Sequence, residues 1–189
     1  MELKLLLGLC GRARHGKDFT ASVIHGWFEE QGYHVFTSSI SEEVLREGQD
    51  RGIIRQGITR ADCTRVELDA LVALGHEGRA IDEYHWLFRL EARIVALKVD
   101  IAVIPGIRFP NEIDWLRSFN GTIARVKRYN VDGSLYISPD RDPNDPMETC
   151  IERVVADYEI SAATGQESWL KNQARGLANE LRLNRLLRG

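Results

Sequence analysis

Apolar and polar positions along the chain alternate between two periods, one suited to buried strands and one to amphipathic helices. Leu3, Leu5, Leu6, Leu7 and Leu9 form a nearly continuous apolar run, the pattern of a strand buried on both faces in a parallel sheet. A glycine-rich turn follows. From Lys17 to Gln31 the apolar residues Phe19, Val23, Ile24, Trp27 and Phe28 recur at helical spacing, and Gly32 sits where such a helix would end. Tyr33 to Phe36 predicts a short second strand. Ser39 and Glu42 have capping-box spacing ahead of a short helix. Val66, Ala70, Leu71 and Leu74 predict another that ends near Gly75. Asp82 opens a third, with Trp86, Leu87, Leu90, Ile94 and Leu97 on its apolar face. Ile101 to Ile104 predicts a buried strand, Pro110 to Phe119 a helix closed by Asn120 and Gly121, and Thr122 to Lys127 a further strand.

Tyr129 to Pro146 breaks this rhythm. It holds three of the five prolines together with Asp132, Gly133, Asp140, Asp142, Asn144 and Asp145, and reads as a long polar loop of the kind that often serves as a lid. A helix from about Glu148, a short strand at Tyr158 to Ile160 and an amphipathic helix from Ser168 to about Leu187 complete the chain. Strands alternating with helices predict an α/β fold around a parallel sheet. No internal repeat interrupts it.

Composition narrows the classes. A chain of 189 residues with 43% hydrophobic and 28% charged residues suits one globular domain with a sizeable core. The net charge of −3 lacks the global basic field of a nucleic-acid binder; a small phosphate ester remains open as a partner. Cys10, Cys63 and Cys150 are odd in number and far apart, which predicts reduced thiols rather than a disulfide framework or zinc site. Glu2 and Lys4 interrupt the N-terminal apolar run, so no signal peptide is expected. No stretch approaches the about 20 apolar residues that span a bilayer. The expectation is a cytoplasmic protein without a membrane partner, with a homodimer left open.

The chemistry sits in Gly11, Arg12, Ala13, Arg14, His15, Gly16 and Lys17, a match to the G-x4-G-K core of a phosphate-binding loop. Glycines let backbone N–H groups converge on phosphate oxygens, the following helix aims its positive end there, and the lysine reaches the β- and γ-phosphates. The motif follows a predicted buried strand and opens a predicted helix, as that chemistry requires. Asp18 stands where Ser or Thr normally holds magnesium. Phe19 and Thr20 complete the predicted ATP-binding segment. The alternative is a glycine-rich turn with exposed basic residues.

Gly16-Lys17-Asp18 resembles the variant loop shared by phage-type deoxynucleoside monophosphate kinases and animal-type phosphomevalonate kinases, and Gly-Lys-Asp-Phe is particularly similar to the latter. The resemblance implies that Asp18 belongs to the active site. Ile104-Pro105-Gly106-Ile107-Arg108-Phe109-Pro110-Asn111-Glu112 is similar to the strand end and Arg-Phe-Pro-Asn-Glu turn of the deoxynucleotide kinases, while Ile113 to Arg117 is closer to the phosphomevalonate kinases. Arg108 is then a phosphate contact at a strand's carboxyl end, or, alternatively, a surface residue paired with Glu112 at i+4. Arg65, Gly75, Arg79 and Trp86 resemble the acceptor-binding helices of the deoxynucleotide kinases. The resemblance implies that Arg65 and Arg79 clamp an acceptor phosphate, with Arg108 and Asn111 nearby; solvated arginines and a core tryptophan are the alternatives. Arg128 and Arg141 are candidate lid cations, and the resemblance extends more loosely through Asp157 to Ile160 and Gly165.

The resemblance implies a three-layer P-loop NTPase fold, one kinase-like domain over residues 1–189, with an acceptor-binding helical region at about 39–97 and a lid at about 129–147. ATP would be the co-substrate and Mg2+ the cofactor. Lys17, Asp18 and Arg108 would carry catalysis, Asp18 would hold the metal, and the reaction would move a phosphoryl group to a small phosphorylated acceptor, a deoxynucleoside monophosphate. One departure matters: the family's strand before the Arg-Phe-Pro-Asn-Glu turn ends in an aspartate that helps fix magnesium, and here that position is Gly106. Phosphomevalonate kinase-like activity, and a non-catalytic nucleotide-binding protein with a degenerate magnesium site, are the competing expectations.

Overall fold

The computed structural model describes residues 3–142 and 144–187; Glu2 and Pro143, which enter the readings above, lie outside the described residues. It contains two compact units: Met1–Thr37 with Leu97–Gly189, and Ser38–Ala96.

The first unit is built on a five-stranded sheet of β1 (Leu5–Cys10), β2 (Val35–Thr37), β3 (Ile101–Ile107), β4 (Thr122–Tyr129) and β5 (Tyr158–Ala163). All pairings are parallel and the order is β2-β3-β1-β4-β5. β1 lies at the centre and is buried at every residue, which is why its sequence is a continuous rather than an alternating apolar run. Alternate residues then serve opposite faces. Leu5, Leu7 and Leu9 join Val103, Val126 and Ile160 against α1 (Lys17–Glu30) and α7 (Glu167–Leu181), whose Ile24, Phe28, Ala174 and Leu177 fill the same core. On the other face a Cβ at Gly8 would meet Leu116 of α5 (Pro110–Ser118) at 2.4 Å, so the glycine lets that helix approach the sheet. These three layers with a glycine-rich loop between β1 and α1 are the P-loop NTPase α/β fold.

Helix ends follow local chemistry. Gly32 is left-handed after α1 (φ 82°), and Asn120 (φ 54°) terminates α5. Glu112 accepts the backbone N–H of Arg108 at 2.6 Å and of Phe109 at 3.1 Å, satisfying donors left open at the start of α5. β3 runs three residues past the predicted Ile104. Its register with β1 pairs Leu9 with Pro105 and Cys10 with Ile107, leaving Gly106 (φ 92°) as a bulge. The loop after β4 turns back on itself through a bridge between Tyr129 and Leu135. It leads to the short helix α6 (Pro146–Thr149) and a 3-10 turn at Cys150–Arg153. α7 passes into a π turn at Arg182–Leu186, so the predicted helix to Leu187 changes pitch near its end.

The second unit holds α2 (Ile40–Asp50), a 3-10 turn (Arg60–Asp62), α3 (Arg65–Ile81) and α4, which starts at His85. Ser39 caps α2 by accepting the Glu42 N–H at 3.2 Å, as its spacing predicts. α3 does not stop near Gly75 but continues to Ile81. The reason is packing: Gly78 receives the Trp86 ring, which a Cβ there would meet at 2.6 Å, and the Trp86 indole N–H donates to the Gly75 carbonyl at 3.0 Å. Both glycines serve a helix contact rather than a terminus. The apolar pattern also misplaces two faces. Val66 is exposed while Glu67 is buried, because the Glu67 carboxylate takes both Thr64 donors and the Arg55 guanidinium. Among the described residues no helix is long and apolar enough to cross a membrane, and none of the three cysteines is in a disulfide.

Candidate functional site

In a parallel sheet all carboxyl ends lie on one edge, so the segments after β1, β3, β4 and β5 share that edge. The chain leaves β1 toward β2 on one side and leaves the adjacent β3 toward β4 on the other. This divergence opens a crevice of the kind in which α/β proteins bind ligands. The loop Gly11–Gly16 and Arg108 both flank it.

The loop has the backbone that its glycines foretell. Gly11 (φ 148°), Arg14 (φ 59°) and Gly16 (φ 91°) have positive φ. A Cβ at Gly11 would lie 2.3 Å from the Val126 carbonyl oxygen, so only glycine lets the loop lie against β4. Gly16 is the N-cap of α1, and the helix directs its unpaired N–H groups and positive end into the loop. Lys17, the first residue of α1, is buried and donates from Nζ to the Arg12 carbonyl at 2.8 Å. Burial, and next the nearby Arg108 guanidinium, push its pKa down to about 8. A buried cation at the head of a helix, with a second cation close enough to repel it, is an arrangement that an anion relieves.

The other loop residues are held from the β4 side. His15 is buried, with Nε2 2.9 Å from the Tyr136 carbonyl and Nδ1 3.3 Å from that of Val126. Its burial lowers its pKa, and a neutral ring donates from one nitrogen only. Through these two contacts His15 ties the loop to β4 and to the segment after it. Arg128 donates from Nε to Thr164 Oγ1 at 3.1 Å and lies 4.2 Å over the Tyr136 ring. Arg141 is exposed in the segment after β4.

Three carboxylates from the segment after β4 bind this loop, and no local motif marks all three. Arg12 pairs with Glu152, with Nε 3.2 Å from Oε1. The Ala13 N–H donates to Glu148 Oε2 at 2.9 Å. Arg14 pairs with Asp140 at 2.8 Å. Their separation from the loop, 126 to 140 residues along the chain, hides them from any local spacing rule.

Two cavities flank the loop. One of about 210 Å³ is bordered by Gly16, Phe19, Arg128, Ala163, Gly165 and Leu170. The other, about 310 Å³, is bordered by Gly11, His15, Arg125, Tyr129, Leu135 and Ile151. Phe19, placed on the apolar face of α1 by its spacing, is 40% exposed and borders the first cavity instead of joining the core. Thr20 is buried, and its Oγ1 has no hydrogen-bond partner.

Asp18 is exposed in the first turn of α1. Magnesium typically takes one or two carboxylates plus substrate phosphates and water, and Asp18 fits that role. No group of three or more His, Cys, Asp or Glu side chains is gathered among the described residues, so such an ion would be held largely by its nucleotide. Asp100, at the opposite end of β3, accepts the His34 N–H at 2.9 Å and pairs with Lys4 at 2.9 Å.

Arg108 contributes its backbone N–H, not an i+4 side-chain pair, to Glu112. Asn111 lies in the first turn of α5. The remaining predicted acceptor residues lie in the second unit. Arg65 is exposed and pairs with Asp69 at 3.2 Å; Arg79 Nη1 donates to the Gly75 carbonyl at 3.2 Å. Trp86 is 2% exposed and packs within that unit.

No protein-family model matches the sequence, and comparison with curated proteins gives no match. Among solved structures the chain is similar to a gluconokinase from Sinorhizobium meliloti 1021, with 13% identity, 100% of this chain and 99% of that one covered, and a TM-score of 0.49. An APS kinase of Mycobacterium tuberculosis gives 12% identity over 96% of this chain and 99% of that one, with a TM-score of 0.46. Shikimate kinase from Aquifex aeolicus gives 11% identity over 93% and 98%, also at 0.46. At these identities and scores the likenesses bear on neither substrate nor mechanism; the P-loop α/β fold rests on the chain's own strand order and on the loop between β1 and α1.

Proposed function

We propose that this chain is an ATP-dependent phosphotransferase acting on a small phosphorylated acceptor, a deoxynucleoside monophosphate being the reading that Phe109-Pro110-Asn111-Glu112 favours. The observation that supports it is the buried Lys17 at the head of α1, its ammonium on the Arg12 carbonyl at 2.8 Å inside a loop opened by the positive φ of Gly11, Arg14 and Gly16, with Arg108 near enough to help lower its pKa to about 8. Positive charge concentrated beside open backbone donors suits the negative charge of a transferring phosphoryl group. Lys17 would neutralise the β- and γ-phosphates, and Arg108 with Arg128 would stabilise charge on the group in flight. Asp18 would hold magnesium, which when bound offsets phosphate charge. The cavity beside Phe19 and Gly165 would take the base of the donor. Arg65 and Arg79 are proposed for the acceptor phosphate. Since this is positioning and electrostatics, no covalent nucleophile is required.

A second reading, a nucleotide-binding protein without transfer activity, is favoured by Gly106, which puts a bulge and no carboxylate where a metal anchor would stand. The two separate in one experiment. The full chain is incubated with ATP, magnesium and a panel of deoxynucleoside monophosphates and phosphomevalonate, and acceptor-dependent ADP release is followed. Transfer to a deoxynucleotide that is lost in Lys17→Ala is the expected result. Transfer to phosphomevalonate alone moves the acceptor class, and ATP binding without transfer to any acceptor selects the binding protein.

A further inference from the structure

Three consecutive loop residues, Arg12, Ala13 and Arg14, each bind a carboxylate from one stretch of chain, Glu152, Glu148 and Asp140 respectively. The middle contact is the telling one. Glu148 is 3% exposed, and while its Oε2 accepts the Ala13 N–H, its Oε1 is buried with no hydrogen-bond partner. A buried carboxylate oxygen without a donor is costly, so this side chain is not held by a completed network of its own. It is held at an N–H of the loop, where the positive helix end and Lys17 favour any anion. Lys17, whose charge Asp18 and Glu148 both favour, meanwhile folds back onto the Arg12 carbonyl. Flanking it, Arg12 and Arg14 are also taken by acidic groups of the same stretch.

From this geometry we infer that Asp140, Glu148 and Glu152 act as an acidic strap that occupies the phosphate loop with its own carboxylates and must be displaced when a polyphosphate binds. Glu148 stands in for a phosphate oxygen, while Glu152 and Asp140 hold the two arginines. A phosphate group that takes the Ala13 N–H brings negative charge against Glu148, and like charges at that distance repel. Entry of the ligand therefore lifts α6 away from the loop and frees the two arginines from their carboxylates. Glu148 then regains water around both oxygens. The inference rests on the loop being the phosphate site, and it adds a built-in competitor to that site.

The test uses the full chain with tripolyphosphate in excess EDTA, so that neither a metal nor catalysis contributes. Binding is measured by calorimetry for the native protein, for Glu148→Gln, for Asp140→Asn with Glu152→Gln, and for Lys17→Ala. Hydrogen exchange of the segment around 144–153 is followed in the native protein with and without ligand. If the strap competes, Glu148→Gln binds about tenfold tighter, the scale of one charge-assisted hydrogen bond, the double variant gains less because its pairs are exposed, and the segment exchanges faster once ligand is bound. Equal or weaker binding by Glu148→Gln, with the segment unchanged or protected, overturns the strap and leaves the phosphate site standing. No tripolyphosphate binding by any of the proteins, or binding indifferent to Lys17→Ala, overturns both. Should Glu148→Gln fail to fold, the double variant and the native exchange decide alone: no tightening and no added exchange is the negative result.

Discussion

Lys17 is where stability and binding oppose one another most clearly. An ordinary lysine titrates at 10.5, and burial first, with Arg108 second, lowers this one to about 8. Because the folded pKa lies below the unfolded one, the unfolded chain holds more protons between about pH 8 and 10.5. Stability therefore rises as pH climbs through that window and is lowest below it. The charge burial costs about 3 kcal/mol at pH 7. Lys17→Met, similar in length and uncharged, is thus expected to raise unfolding stability by about 1–3 kcal/mol in urea melts while eliminating triphosphate binding. A stability loss would place the ammonium group among the fold's supports. His15 runs in the opposite pH range. Burial lowers its pKa below 6.5, so its contribution is intact above pH 6.5 and declines as pH falls toward the folded value. Replacing it with Asn should shrink the gap between urea midpoints at pH 5 and pH 7.5; an unchanged gap would assign the acid sensitivity elsewhere. The sequence marks both residues as loop members but not their burial, which depends on segments far along the chain, such as β4 and the turn that follows it.

At the scale of elements, the bulge in β3 sets the terms for adding a carboxylate beside the proposed magnesium position. Gly106 has φ 92°, and a Cβ built there meets nothing within 4 Å, so the obstacle is backbone strain and not space. Gly106→Ala is expected to cost about 1–2 kcal/mol, and Gly106→Asp somewhat less, since aspartate tolerates that region better. If Gly106→Asp lowers the magnesium concentration for half-maximal turnover despite this strain, the position supports the metal. No shift, with ordinary turnover, means that Asp18 suffices. Strand positions were legible because burial on both faces writes itself as continuous apolar runs. α3 was misread because Gly75 has two meanings, a stop signal or a seat for a neighbouring ring, and only Trp86 packed against the helix distinguishes them. Val66 and Glu67 were exchanged between faces for a related reason: the Arg55–Glu67 pair and the Thr64 cap bury a charge that periodicity assigns to solvent.

For the whole molecule, the glycine-rich turn between β1 and α1 and the α/β class could be read from local order, while the carboxylates on that loop could not. Glu148 and Glu152 lie in a stretch whose resemblance to known kinases is loose, and only tertiary folding brings them to Arg12 and Ala13. The same long-range wiring has a consequence during synthesis. β1 is made long before its neighbours, which are Ile101 onward in β3 and Thr122 onward in β4. At a translation rate of roughly 5–20 residues per second, its unpaired backbone edges and apolar side chains wait on the order of ten seconds for either partner. During that interval Leu5 to Leu9 is a sticky strand without a sheet, and the nascent chain is at its most vulnerable to aggregation before the loop that defines its chemistry has anything to rest on.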